Sequence, residues 1–446
     1  FMMHSIIATF VVGYVFIVLE NVIKVNKAAI ALFMSVACWT LYVLATPGQS
    51  AEEVFLPYVG ETCETILFLM GAMAIVEVVD TNGGFKFVSR YLHTKNLRVL
   101  LWEIVGVTFI LSAVLDNMTT TIVMVMILRK LIDDHEQRLM LAGMVVLAAN
   151  SGGAFSPIGD VTTIMLWIKG CVSSTGIITS ILVPSLVSVV IPAVIVSMRL
   201  KGMAVTPDAK KGAEERIAQA QSDLFVFSRR IRICIFALGV GGLVLVPIFH
   251  SVTGLPPFVG ILALLSVLWI FTEVALRRSH KITKKNTKAN VSSILHKIDM
   301  TTILFFLGIL LAVGALGQTG ALRLFGDWLD NTFHGDVYVV NAIIGILSSV
   351  VDNVPLVASA MGMYNIEPAT ATGMLQNFVQ DGDFWNLLAY CAGTGGSLLV
   401  IGSAAGVIVM GLERMTFMWY LRRVSWLALI GYIAGMVSYW LMHAIA

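Results

Sequence analysis

The sequence predicts an all-α polytopic membrane protein made of two inverted repeats, each with five transmembrane helices, a re-entrant hairpin and a broken helix. Three observations carry this. Of 446 residues, 58% are hydrophobic and 13% charged, with a mean hydropathy of +0.88; soluble domains carry about 25% charge. The stretch Ile110-Leu111-Ser112-Ala113-Val114-Leu115-Asp116-Asn117 recurs as Ile346-Leu347-Ser348-Ser349-Val350-Val351-Asp352-Asn353, with six of eight positions identical. Two further echoes, Ile66–Gly71 with Ile303–Gly308 and Asn150–Ala154 with Gly393–Ser397, keep the same order at offsets of 237 and 243, against 236 for the Asp-Asn stretches. Three ordered echoes with little drift are the mark of an internal duplication.

The apolar runs follow in order. Runs at about 5–23 and 28–46 flank Lys24 and Lys27; an acidic stretch with Glu52, Glu53 and Glu61 precedes a third span at about 64–80. A short amphipathic piece carries Lys86, Arg90, Lys95 and Arg98. The run 99–128 is too long for one crossing and holds Asp116-Asn117 at its middle, which fits a hairpin whose polar tip is buried in protein; a simple crossing helix with one buried Asp is the alternative. A span starting near 138 is interrupted at Asn150–Asp160, where three glycines and a proline fall within eleven residues and weaken a continuous helix. It resumes to about 168, and a span at 176–198 follows. Residues 199–230 form a charge-mixed linker, helical around Glu214–Gln221, and spans at about 231–249 and 258–276 open the second half.

The positive-inside rule puts the Arg277–Lys297 loop and the Arg199–Arg232 linker in the cytoplasm. Lys24, Lys27, Lys95–Arg98 and Arg129–Arg138 then fall inside; Glu52–Glu61, and Glu367 with Asp381 and Asp383, fall outside. Glu413-Arg414 and Arg422-Arg423 lie near the inside. Five crossings per half is an odd number, so residues 231–446 invert the plan of residues 1–198, with 199–230 as the cytoplasmic linker.

A net charge of +2 implies no nucleic-acid partner; the partner is the bilayer. The five cysteines show no CxxC or Cys/His spacing and read as small hydrophobes. Phe1-Met2-Met3-His4 lacks a basic n-region and a cleavage site, so no signal peptide is expected. There is no HExxH and no GxSxG, and the Gly-rich segments lack the Lys-Ser/Thr ending of a phosphate loop. No enzyme chemistry and no cofactor are expected.

What remains is ion chemistry. A carboxylate at a helix centre in hydrocarbon costs roughly 2.5–3.5 kcal/mol on insertion scales, and inverted repeats with hairpins and broken helices place ion sites at the midplane. The first tip offers Asp116, Asn117, Thr119, Thr120 and Thr121, and the first broken helix offers Asn150, Ser151, Asp160, Thr162 and Thr163. These hard oxygen donors suit Na⁺ or Li⁺, with Asp116, Asn150 and Asp160 as the cation's ligands. The second tip offers Ser348, Ser349, Asp352 and Asn353, and its broken helix Thr394, Ser397 and Ser403. Ser403 aligns with Asp160, so the first site carries more negative charge. Asp116 and Asp160 would take a proton or a sodium ion in competition, giving Na⁺/H⁺ exchange under alternating access; Asp352 and Asn353 would support or complete a second site. A structural reading, in which an aspartate only caps a half-helix, stands beside each assignment. Glu61 or Glu64 offers proton access or simple interfacial solvation.

At Asp116-Asn117-Met118-Thr119-Thr120-Thr121 and Asn150-Ser151-Gly152-Gly153-Ala154-Phe155-Ser156-Pro157-Ile158-Gly159-Asp160-Val161-Thr162-Thr163 the chain resembles the NhaD-type sodium/proton antiporters of the ion transporter superfamily. That resemblance covers essentially the whole chain. It implies a homodimer in a bacterial inner membrane or an equivalent organelle membrane, a scaffold-plus-transport layout, and elevator-like motion. It carries functional roles onto Asp116, Asn150, Asp160, Thr162, Thr163, Ser348, Asn353 and Glu61. The superfamily's dicarboxylate branch has Ser-Asn-Thr at its tips; Asp116-Asn117-Met118 and Asp352-Asn353-Val354 depart from that and count against a carboxylate substrate. Leu115 stands where some relatives have a second acidic residue, which bears on ion stoichiometry. The rival reading is a Na⁺-coupled symporter or anion permease, for which an Arg or Lys clamp within a span would be needed; none is evident.

Overall fold

The computed structural model describes residues 2–46, 51–84, 94, 96–200, 227–278, 294–350 and 352–445. Most of the linker, the piece carrying Lys86, Arg90 and Lys95, and the basic loop from Lys281 to Lys288 lie outside the described residues. Apart from one isolated bridge between Glu367 and Val379, the ordered elements described are helical.

The first half comprises α1 (Met2–Val18), α2 (Lys27–Ala45), α3 (Ala51–Thr81), α4 (Leu97–Ser112), α5 (Asn117–Leu131), α6 (His135–Ala154), α7 (Val161–Ile168) and α8 (Ser174–Arg199). The second comprises α9 (Arg229–Thr253), α10 (Pro257–Arg278), α11 (Met300–Gln318), α12 (Ala321–Phe333), α13 (Val337–Leu347), α14 (Asn353–Met363), α15 (Asp383–Gly395), α16 (Ala404–Leu412), α17 (Phe417–Arg423) and α18 (Ser425–Ile445). Among the described residues, seven helices are long and apolar enough to cross a membrane. Helices α13 and α14, on either side of the break at Asp352, have 11 residues each. At 1.5 Å per residue each reaches about 16 Å, half of a hydrocarbon core of about 30 Å.

Sequence-based boundaries hold closely, with two corrections. The third span does not begin near 64: α3 starts at Ala51, takes in Glu52–Glu61 and runs 31 residues, long enough to carry its acidic turns beyond the apolar layer. The chain break in the first broken helix is also narrower than Asn150–Asp160. Helix α6 continues through Gly152 and Gly153 to Ala154, so these glycines do not end it. A Cβ on Gly152 would collide with the Phe109 carbonyl of α4, and one on Gly395 with the Gly345 carbonyl of α13. In both halves the glycine lets a broken helix touch the backbone of its hairpin.

The same contacts recur from half to half. Helix α4 packs on α6, and α13 on α15; α2 packs on α11, and α10 on α3. Ser112 Oγ donates to Ala149 O at 2.6 Å, and Ser348 Oγ donates to Ala392 O at 2.8 Å. The halves also interlock: α5 packs on α16, α14 on α7, and α8 on α18. One apolar cluster fills the bundle around α4–α8, α15 and α18; a second joins α1, α2 and α11, with Val354 and Ala358 of α14.

The far ends of the short half-helices are anchored. Glu413, its side chain 1% exposed, accepts from Arg129 Nε at 2.7 Å and Arg138 Nε at 2.6 Å, tying the end of α16 to the α5–α6 turn. Beyond α7, Asp381 accepts from Ser173 N–H at 2.6 Å and its own N–H donates to Cys171 O at 3.0 Å, tying that turn to the start of α15.

Candidate functional site

Four helix starts converge where the halves interlock, and their N-caps are Asp116, Asp160, Asp352 and Ser403. Helix N-termini leave N–H groups unpaired, and Asp and Ser fill that need well. The capping role is therefore real. Asp116 Oδ1 accepts from Thr119 N–H and Oδ2 from Thr119 Oγ1, both at 2.7 Å. Asp352 Oδ1 accepts from Val354 N–H at 3.4 Å, and Ser403 Oγ from Gly406 N–H at 3.2 Å. Asp160 forms a capping box with Thr163, whose Oγ1 accepts from Asp160 N–H at 3.3 Å and donates to Asp160 O at 2.8 Å.

Asp160 differs from the others in its surroundings. It is 2% exposed, and its Oδ2 accepts from Asn353 Nδ2, on the opposite half's tip, at 3.2 Å. Among the described residues no Lys, Arg or His forms an ion pair with it. Two residues on, the buried Thr162 hydroxyl has no partner of hydrogen-bond geometry.

Asn150 is the junction's polar centre. Fully buried, it accepts from Asn117 Nδ2 at 3.1 Å and donates to Ser397 Oγ at 2.8 Å and Ser403 Oγ at 2.9 Å. It thereby joins the first tip to the second broken helix, while Asn353 joins the second tip to the first. No hydrogen bond links Asp116 with Asp160 among the described residues; each carboxylate belongs to its own side of this cross-brace.

Several sequence candidates face elsewhere. Ser151 Oγ pairs with Ser188 Oγ of α8 at 2.9 Å, Thr394 Oγ1 donates to Tyr390 O at 2.6 Å within its own helix, and Ser348 holds the α15 carbonyl described above. Thr121 Oγ1 donates to Asn117 O at 2.7 Å. Glu61 is exposed and pairs with Lys169 at 2.6 Å, on the wall of a cavity of about 1150 Å³ lined also by Glu64, Met165, Ala358 and Tyr364. Its wall takes in Met165 and Ile168 of α7 and Ala358, Met361 and Gly362 of α14, the helices that Asp160 and Asn353 begin.

One residue was missed. Lys27 Nζ lies 3.2 Å from Asp352 Oδ2 and 4.3 Å from the centre of the Phe305 ring. Its place at the start of an apolar run signalled only a loop charge. No group of three or more His, Cys, Asp or Glu suited to a tightly held metal occurs among the described residues, and Cys38, Cys63, Cys171, Cys234 and Cys391 are free.

Comparison with known proteins identifies the chain as a transporter. A family described as "Citrate transporter" matches residues 14–380. The chain is 42% identical to "Sodium/proton antiporter 1" of Arabidopsis thaliana over 97% of this chain and 71% of that protein. It is 41% identical to "Sodium/proton antiporter 2" of the same plant, over 97% and 98%. It is 30% identical to "Na(+)/H(+) antiporter NhaD" of Halomonas elongata, over 98% and 88%. The family and these relatives are transporters, not enzymes. By its helices, its interlocked halves and these matches, the chain is a multi-pass membrane protein that belongs to the citrate-transporter family, in the NhaD-type sodium/proton antiporter branch.

Proposed function

We propose that this chain exchanges Na⁺, and Li⁺, for H⁺ by competition at Asp160, with Asp116 as a second, separately placed proton- or cation-binding carboxylate. The observation that carries this is a carboxylate 2% exposed, with no basic partner among the described residues and an amide as its hydrogen-bond donor. A buried carboxylate must be neutralised by a proton or a cation. Asn353, Thr162 and Thr163 supply the neutral oxygens and the amide that orient it, and Asn150 holds the two sides in register.

Residues 1–198 and 231–446 act as repeats inverted across the membrane, linked by 199–230 in the cytoplasm. The recurring contacts support that reading. Helices α1–α3 and α9–α11 serve as scaffold. The bundle carrying the tips moves past them in an elevator-like step, in a homodimer of a bacterial cytoplasmic membrane or an organelle membrane. The cavity beside Lys169 is the outward approach to Asp160, with Glu61 on its wall.

The family's name raises an anion permease as the second reading. Such a site needs a free cationic clamp, and Lys27, the ammonium that meets a tip among the described residues, is held by Asp352. Liposomes with an internal pH dye separate the readings. Proton movement driven by Na⁺ or Li⁺ but not by K⁺, citrate or a dicarboxylate, and lost in Asp160→Asn, is the expected result; citrate-driven movement without Na⁺/H⁺ exchange would overturn it.

A further inference from the structure

The two hairpin tips are near-copies in sequence, yet their aspartates have different company. The Asp116 carboxylate is met by the N–H and hydroxyl of Thr119, within its own helix start, and no ion pair reaches it among the described residues. Asp352 is met by the Lys27 ammonium at 3.2 Å, with side chains 28% and 35% exposed. Lys27 is itself fixed: its ammonium rests over the Phe305 ring, its N–H donates to Glu20 Oε1 at 3.0 Å, and Asn26 caps the helix it begins. In the second half, α10 of the matching α10–α3 contact begins at Pro257, so the duplication supplies no ammonium for Asp116.

We propose that Lys27 is a tethered counter-cation that occupies the second tip in place of a transported ion, so that the Asp160 side of the junction binds one Na⁺ per chain. The inference rests on the Na⁺/H⁺ reading above. The titratable groups facing Asp352 are Lys27 from α2, paired with it directly, and Tyr14 from α1; Asp160 from α7 shares its electrostatic surroundings. Without the ammonium, Asp352 would be an unpaired charge at a half-buried position on the tip that also carries Asn353, the partner of Asp160, and a second cation would be drawn in. A primary ammonium on a flexible stem does there what Na⁺ would do, in the state in which the second tip rests against α2. Lys27 is thus a positioning residue. It touches Asp352, and it sets how many ions the neighbouring carboxylates can take.

The test is equilibrium binding of radioactive Na⁺ to the purified full chain at alkaline pH. The wild-type protein should bind one Na⁺ per chain on the Asp160 side, lost in Asp160→Asn. Lys27→Gln should add one further Na⁺ per chain, Lys27→Arg should not, and Lys27→Gln/Asp352→Asn should return to the wild-type number. A merely structural role for Lys27 would lower binding or folding in Lys27→Gln without raising capacity, and the double variant would not restore it. Unchanged capacity in Lys27→Gln overturns the inference while leaving Na⁺/H⁺ exchange intact. A wild-type chain that binds no Na⁺ overturns the exchange reading itself. If Lys27→Gln does not fold, the double variant decides: it lacks the unpaired Asp352, so failure to fold there too means Lys27 is structural.

Discussion

Asp160 of α7's cap and Asn353 of α14's first turn meet at 3.2 Å, and 193 residues separate them in the chain. An amide donates to whichever form of the carboxylate is present, so the contact orients Asp160 without fixing its charge. Charge is left to the transported species. Asp160→Asn should therefore abolish Na⁺-driven proton movement while the protein still purifies as a folded species. It should also remove the Na⁺-dependent rise in thermal midpoint. In the parent, Na⁺ at 100 times its dissociation constant adds about 2.7 kcal/mol, a shift readable in detergent.

Competition fixes the sign of the pH effect. A proton favours neutral Asp160 and Na⁺ favours the carboxylate, so lowering pH weakens Na⁺ binding because the ligand must be deprotonated. With one competing proton, the apparent dissociation constant should rise by about tenfold per pH unit on the acid side. Titrations of Na⁺ binding between pH 6 and 9 read this directly, and a flat profile would remove the shared-site idea.

Asn150→Ala removes the acceptor of Asn117 and the donor to Ser397 and Ser403, leaving three buried groups short of a partner. Unsatisfied buried groups cost about 1–3 kcal/mol each, so a loss of roughly 3 kcal/mol is expected even with partial relaxation. Asn150→Asp retains acceptors but not donors and should bind Na⁺ with altered affinity rather than unfold. Thermal denaturation and Na⁺ titration together separate the two effects.

Gly152→Val and Gly395→Val both drive a side chain into a hairpin carbonyl. Overpacking costs about 1–3 kcal/mol where neighbours can shift, and backbone shifts least. Both variants should yield little folded protein, whereas Gly106→Ala, which meets nothing within 4 Å, should behave as the parent in size-exclusion profiles.

Glu413→Gln leaves Arg129 and Arg138 without their carboxylate. Breaking a wholly buried pair costs about 3–5 kcal/mol; with Arg129 41% exposed, a loss of about 2–3 kcal/mol is expected. If α16 is only anchored there, Na⁺ affinity at equilibrium stays constant while the thermal midpoint falls.

The breaks between α4 and α5, between α13 and α14, and in the broken helices are legible because Asp-Asn and Gly/Pro clusters interrupt runs that are otherwise apolar. Which face each polar residue takes is not. In an apolar chain nearly every position is hydrophobic, so periodicity cannot tell that Ser151 turns to Ser188 or that Thr394 bonds back along its own helix. Gly152 and Gly153 look like helix breakers because composition reveals a missing Cβ but not the carbonyl that needs its space. Lys27 escaped for a different reason. Its partner is 325 residues away, and loop and tip charges look unrelated until the halves interlock.

The absence of a basic partner for Asp160 also bears on leakage. On the proposed cycle, an empty carrier with Asp160 ionised would have to take an uncompensated negative charge through the low-dielectric part of the path. Moving one charge through a membrane potential of 100 mV alone involves about 2.3 kcal/mol, and desolvation adds several more. Had a lysine faced Asp160 as Lys27 faces Asp352, the empty form would be neutral and free to slip. On that cycle, with Asp160 unpaired among the described residues, the return stroke would depend on a bound proton, and the tightness of coupling would follow from an ion pair not made.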